Sequence, residues 1–139
     1  MKRLILFILL ACSLTTFAQK KTKDLDYYYY SAKEDPTFVA YLKAKKEFDN
    51  KKTDFKLPKS EAAVKEIEQN REKIMRSEKT YAEFLSKHGM KNSGEYARLW
   101  SNQLTALKTF LKKNPEFSAL SAKQRQDIID KWYFSGEFK

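Results

Sequence analysis

Apolar residues recur at three- and four-residue steps along most of the chain, and start and stop signals bracket each stretch. The first stretch follows Asp35-Pro36, an N-cap with proline at the first helical position. Phe38, Val39, Leu42 and Phe48 then share one face, which predicts a short helix to about Phe48. Residues 50–60 read as a polar, lysine-rich connection containing Pro58. Ser60 caps the next stretch, with Glu61 favourable in its first turn. Val64, Ile67, Ile74, Tyr81 and Leu85 predict a long helix of about 28 residues ended by Gly89. Arg71 and Glu78 occupy positions on its apolar seam, which argues against a coiled coil. They mark either a stretch projecting past the core or a break near Ser77 and Thr80.

Asn92-Ser93-Gly94 opens a further stretch. Its Tyr96, Leu99, Trp100, Leu104, Leu107, Phe110 and Leu111 form the cleanest apolar stripe in the chain. Lys112 and Lys113 suit its partly negative C-terminal end, and Asn114-Pro115 stops it. Ser121 and Gln124 form a capping box ahead of Ile128, Ile129, Trp132 and Tyr133, and Ser135-Gly136 closes that helix. Three glycines and three prolines in 139 residues leave little turn material for a β protein, and no segment sustains strand alternation. The expectation is an all-α fold, a small bundle of three to four helices, with the helices before and after Gly89 packed antiparallel.

The first residues change the picture by placing a leader ahead of this bundle. Lys2 and Arg3 precede an unbroken apolar run from Leu4 to Ala11, and Thr16-Phe17-Ala18 offers small residues before a cut ahead of Gln19. That is the layout of a secretory signal peptide, too short in its apolar part for the ~20 residues that span a bilayer. The competing reading is lipidation at Cys12, since Leu-Leu-Ala-Cys12 resembles a lipobox; the short apolar region before Cys12 argues against it. The expected organisation is a signal peptide over 1–18, a tyrosine-containing N-terminal arm over 19–35 and a helical domain over 36–139. The product would be periplasmic or secreted, with no transmembrane span in the mature chain. Cys12 is the only cysteine, so a chain cut after Ala18 forms no disulfide and is held by packing.

Charge favours acidic partners or anionic surfaces. The chain carries 28 basic against 18 acidic residues, and removal of Lys2 and Arg3 leaves a net of +8. Lysines outnumber arginines 23 to 5, which suits diffuse attraction more than a shaped phosphate site. Residues 43–59 hold seven lysines against Glu47, Asp49 and Asp54. Nucleic acid is not an expected partner of an exported chain.

Most catalytic constellations lack their residues. One histidine, His88, and no mature cysteine exclude most zinc sites and cysteine nucleophiles, and no glycine-rich phosphate loop or nucleophile elbow is present. His88 before Gly89 reads as a helix-end residue. Glu66, Glu68, Glu72, Glu78 and Glu83 alternate with Lys65, Arg71, Lys73 and Lys79 as on an ordinary solvated helix. Trp100 and Trp132 lie within apolar stripes and read as core. No catalytic residue, metal ligand or cofactor is expected.

What remains is the run Tyr27-Tyr28-Tyr29-Tyr30. On a helix four consecutive residues point all the way round, and on an extended segment they alternate two to each side, so in either case only some can be buried on one face. The segment is expected to dock through Leu25 and two of the tyrosines, leaving the others exposed. The sequence therefore reads as a non-enzymatic protein-binding module of the envelope or the extracellular space. The alternative is a binder of anionic polymers or lipid headgroups. In either case the candidate binding residues are Tyr27, Tyr28, Tyr29, Tyr30, Lys43, Lys45, Lys46, Lys51 and Lys52.

Overall fold

A computed structural model describes residues 23–137. The signal peptide over 1–18, the cut after Ala18, Cys12 and the first residues of the arm lie outside the described residues. Those described are all-helical, with no strand. They form α1 (Leu25–Glu34), α2 (Pro36–Lys51), α3 (Glu61–Ile74), α4 (Glu78–Lys87), α5 (Ser93–Lys113), α6 (Pro115–Ser118) and α7 (Ala122–Phe134), with a 3-10 turn at Lys52–Asp54 after α2.

Seven helices stand where three to four were expected, for three local reasons. The tyrosine-containing segment ahead of Asp35 forms a helix of its own, α1, capped by the Asp24 side chain, which accepts from the Tyr27 amide. Asn114-Pro115 does stop α5, but proline at N1 then starts the one-turn α6. The long helix expected over 60–88 is two helices. Ser77 leaves helical geometry and caps α4, its hydroxyl accepting from the Thr80 amide while Thr80 caps Ser77 in return. Asn70, at φ −129° and ψ 22°, already kinks α3 above that break.

Other boundaries follow the sequence signals. Asp35 caps α2 with Pro36 at N1, Ser60 caps α3, and Ser121 with Gln124 makes the capping box of α7. Gly89, at φ 83°, closes α4 in the left-handed region that costs glycine least.

Helices α2 and α5 make the most extensive contact in the fold and run antiparallel, with Phe38 against Phe110 at one end and Phe48 against Tyr96 at the other. Two hydrophobic clusters are strung along this pair. At the first end Phe38, Tyr41, Leu42, Phe110, Phe117, Ile128, Ile129 and Trp132 are buried together with Ala32 of α1. At the other end Ala63, Ile74, Tyr81, Phe84, Leu85, Met90, Tyr96 and Ala97 form the second cluster, with Phe48, Phe55 and Trp100 against it. Helices α1 and α7 lie on the first cluster, α3 and α4 on the second. Among the described residues no helix is long and apolar enough to cross a membrane.

Candidate binding surface

The tyrosine run is divided by helix geometry. At 100° per residue, Tyr27 and Tyr30 of α1 fall about 60° apart on one face, and Tyr28 and Tyr29 point elsewhere. Tyr28 and Tyr29 are half-buried and pack against the first cluster, with Ala32 fully buried one turn later. Tyr30 is 63% exposed and Tyr27 is also exposed. Two tyrosines dock and two stay out, as helical spacing requires. Leu25, expected to help the docking, is 43% exposed and is not among the residues packed on the first cluster.

Tyr29 is fixed from several directions. Its ring stacks on the Trp132 indole at 4.2 Å with an interplanar angle of 9°, and its carbonyl accepts a 2.8 Å hydrogen bond from Trp132 Nε1. Lys131 Nζ lies 3.8 Å from the centre of the same ring, a cation–π contact. One turn further on, Lys33 pairs with Glu137 at 2.7 Å, so α1 and α7 run side by side in the same direction. Phe134, at the end of α7, is 77% exposed, and its edge meets the half-buried Tyr133. Tyr27, Tyr30 and Phe134 are thus exposed aromatic residues on adjoining helices seated on Trp132. Full burial of a large apolar side chain is worth roughly 1.5–3 kcal/mol, and the exposed part of these rings leaves a share of that for a partner to recover.

The lysines of the candidate set are distributed differently from the expectation. Lys45 and Lys52 both bind Asp49, at 2.8 and 2.7 Å, and Lys51 pairs with Glu95 of α5 at 3.1 Å. Lys45 and Lys46 also lie over the Tyr133 ring, at 4.8 and 5.7 Å. Burial pushes the Asp49 carboxyl up, but hydrogen bonds from Lys45, Lys52 and Tyr133 outweigh it and hold the group down at about 2. These residues link α2 to α5 and α7. Lys43 is exposed on the outer face of α2 and makes no ion pair among the described residues. The structure therefore does not join the tyrosines and the lysines into one free cationic patch. Lys23, Lys33 and Lys131 instead lie over the rings of Tyr27, Trp132 and Tyr29, at 4.2, 4.9 and 3.8 Å.

Sequence reading missed Phe134, which falls one position after the stripe of Ile128, Ile129, Trp132 and Tyr133 that marks the buried face. A chain that ends a helix on an off-stripe phenylalanine carries that signal. Sequence reading also treated residues 50–60 as merely polar. Leu57 and Pro58 instead form one wall of a groove of about 130 Å³ between this segment, α3 and α4.

Between α3 and α4 a cleft of about 310 Å³ is lined by Glu66, Asn70, Lys73, Thr80, Glu83 and Lys87, with Ile74 and Phe84 supplying apolar surface. Both Glu66 oxygens lie 2.8 Å from Lys87 Nζ, and His88 Nε2 is 2.9 Å from Oε2. Lys87 first, then His88, hold the Glu66 carboxyl below its ordinary range. His88 sits at the C-cap of α4 with its ring against Phe84 at 4.8 Å, a helix-end position that clamps α4 to α3. Trp100 packs on the second cluster and Trp132, 2% exposed, is in the first.

No protein-family model matches the chain, and no curated protein or solved structure shows significant similarity to it.

Proposed function

We propose that this chain is an exported, non-enzymatic helical protein that works by binding another protein in the envelope or outside the cell. The observation that carries the reading is the exposure of Tyr27, Tyr30 and Phe134 on adjoining helices whose inner residues are tightly held. Large aromatic side chains that stay in water although a core lies beneath them suit a protein partner. They offer broad apolar area, and in tyrosine a hydroxyl, at low entropic cost. The leader-like residues 1–18 support export, and cleavage there would free a chain starting shortly before α1. An anionic polymer or lipid surface has less in its favour, because Lys45, Lys51 and Lys52 already face carboxylates.

The test is co-sedimentation of the chain, expressed from its full sequence and exported, with envelope fractions at 0.1 and 1 M salt. A protein partner gripped by aromatic side chains gives binding that survives the shortening of the screening length from about 10 to about 3 Å. The triple variant Tyr27→Ser, Tyr30→Ser, Phe134→Ser should then lose it. Binding that disappears at high salt and ignores the triple variant would reject this reading in favour of the anionic surface.

A further inference from the structure

The outer face of α5 carries charge of one sign. Residues 96–115 include no acidic residue, a longer acid-free run than any other among the described residues. They hold Arg98, Lys108, Lys112 and Lys113, all exposed, and none of the four makes an ion pair among the described residues. At 100° per residue Arg98, Asn102, Thr105, Thr109 and Lys112 fall within about 80° of one another, with Lys108 and Lys113 along the two edges. Arg98 to Lys113 spans about 22 Å of the helix axis. The helix dipole accounts for Lys112 and Lys113 in the last turn, but not for Arg98 in the second turn or for Lys108. Acids at both ends of the stripe are already bound: Glu95 pairs with Lys51 at 3.1 Å and Glu116 with Lys23 at 2.6 Å. Those beside it are spent or turned away. Asp35 faces Thr37 and Asn114, Asp49 is held by Lys45 and Lys52, and Glu83 lies 3.9 Å from Lys79. Glu47 sits on the face of α2 opposite the buried Phe38, and Glu78, at the start of α4, pairs with no base of the stripe.

We infer that this stripe binds a linear acidic polysaccharide laid along α5. Bases strung over about 22 Å of one helix suit an extended chain of repeated carboxylates better than a single anion. Three of the four bases are lysines, hydrated point charges that read charge density more than the shape of one group. Between them stand Asn102, Thr105 and Thr109, with no aromatic or large apolar side chain on the face. A protein partner would find no anchor to grip there, and a lipid surface would receive nothing to insert. A single-stranded nucleic acid would find no ring on which to stack its bases. The exposed Asn102 amide and Thr105 hydroxyl match the hydroxyl groups of sugar units lying between the charges. The stripe shares no residue with Tyr27, Tyr30 and Phe134 and none with the lysines of α2. It therefore stands apart from the reading of the chain as a protein binder.

The experiment is fluorescence anisotropy of a labelled oligogalacturonate, with one carboxylate per sugar, titrated with the chain expressed from its full sequence and exported. Expected is saturable binding at about 0.05 M salt that weakens at least tenfold at about 0.5 M, and no binding to neutral dextran. Arg98→Gln, Lys108→Gln, Lys112→Gln and Lys113→Gln together should weaken binding about tenfold, the joint effect of four exposed ion pairs. Glutamine keeps a high helix propensity at these exposed positions, so the helical circular dichroism should not change. Lys56→Gln, Lys59→Gln, Lys65→Gln and Lys73→Gln remove the same number of charges elsewhere and should cost less than about twofold. The triple variant of Tyr27, Tyr30 and Phe134 should bind the polysaccharide unchanged, so a failure of the stripe and a failure of the aromatic surface are read separately. Equal losses from the two sets of four would overturn the site and leave only net charge. Polyglutamate, duplex DNA or anionic vesicles bound as tightly as the oligogalacturonate would overturn the choice of ligand. Absence of binding at low salt would overturn both.

Discussion

Trp132 holds Tyr29 twice: the indole N–H donates to the Tyr29 carbonyl at 2.8 Å, and the indole face lies flat on the Tyr29 ring at 4.2 Å. The residues are 103 positions apart, so this one pairing ties α1 to the far end of the chain. Trp132→Ala leaves a large void under α1 and should destabilise the fold by about 3–5 kcal/mol in urea denaturation. Trp132→Phe keeps most of the apolar contact, loses the donor, and should cost about 1–2 kcal/mol. Tyr27→Ser and Tyr30→Ser on the outer face of the same helix should each stay within about 0.5 kcal/mol of the parent. A large loss from the outer pair would mean that these tyrosines serve the fold and not a partner.

Asp35 performs two tasks with one carboxylate. Oδ1 accepts from the Thr37 amide at 2.7 Å as the N-cap of α2, and Oδ2 accepts from Asn114 Nδ2 at 2.6 Å at the end of α5. Asp35→Ala should cost about 1–2 kcal/mol, the cap and the cross-helix bond going together. Asn114→Ala, which leaves the cap intact, should cost less. Parallel thermal and urea melts of the two variants check the order.

Acid and alkali should unfold the chain through different groups. Asp49 is held at about 2, below its ordinary 3.8, by Lys45, Lys52 and Tyr133 against the opposing effect of burial. A depressed carboxylate contributes stability that is complete above the unfolded value and declines as pH falls toward the folded one. The expected loss from Asp49 lies between about pH 4 and 2, and Asp35, also depressed, acts in the same direction. Asp49→Asn should flatten that limb of the stability profile. Tyr41 and Tyr81 are pushed up to about 12, chiefly by burial. A raised phenol contributes stability that is complete below about pH 10 and fades toward 12. Absorbance at 295 nm should show these two tyrosines ionising late, together with unfolding.

The junction between α3 and α4 should be a separable element. Ser77→Ala removes the cap of α4 and should cost about 1 kcal/mol. Glu66→Ala releases Lys87 and His88 from α3, and amide exchange in α3 should speed up while α2 and α5 keep their protection. Equal acceleration across all helices would show that the clamp belongs to the global fold.

Much of this architecture was readable because its punctuation is local. Asp35-Pro36, Ser60 and the Ser121–Gln124 box each act within one helical turn, and each begins a helix in the structure. That only some of Tyr27 to Tyr30 could be buried was legible for a helix and for an extended segment alike, but which two was fixed only by α1 being a helix. The break at Ser77 was legible only as one of two readings of the polar seam positions, because Ile74 and Tyr81 keep helical spacing across it. Its cap is a Ser–Thr pair, weaker as a signal than Ser with Glu or Gln. The state of the lysines was readable only in part. Lys45 and Lys52 lie four and three positions from Asp49, a local spacing, but Lys51 meets Glu95 across 44 positions, and Tyr133 reaches Asp49 only once α7 has folded back onto α2. The groove was hidden for the same reason, its three walls coming from separate segments.

Because α2 and α5 run through both hydrophobic clusters while α3 and α4 touch only one, the two ends of the molecule are not equals in unfolding. Residues 55–90 can detach as a unit and leave the Trp132 end assembled. Chain damage by proteases should therefore begin beside the groove, at the lysines of residues 56–65, long before it reaches the helices that carry the exposed tyrosines.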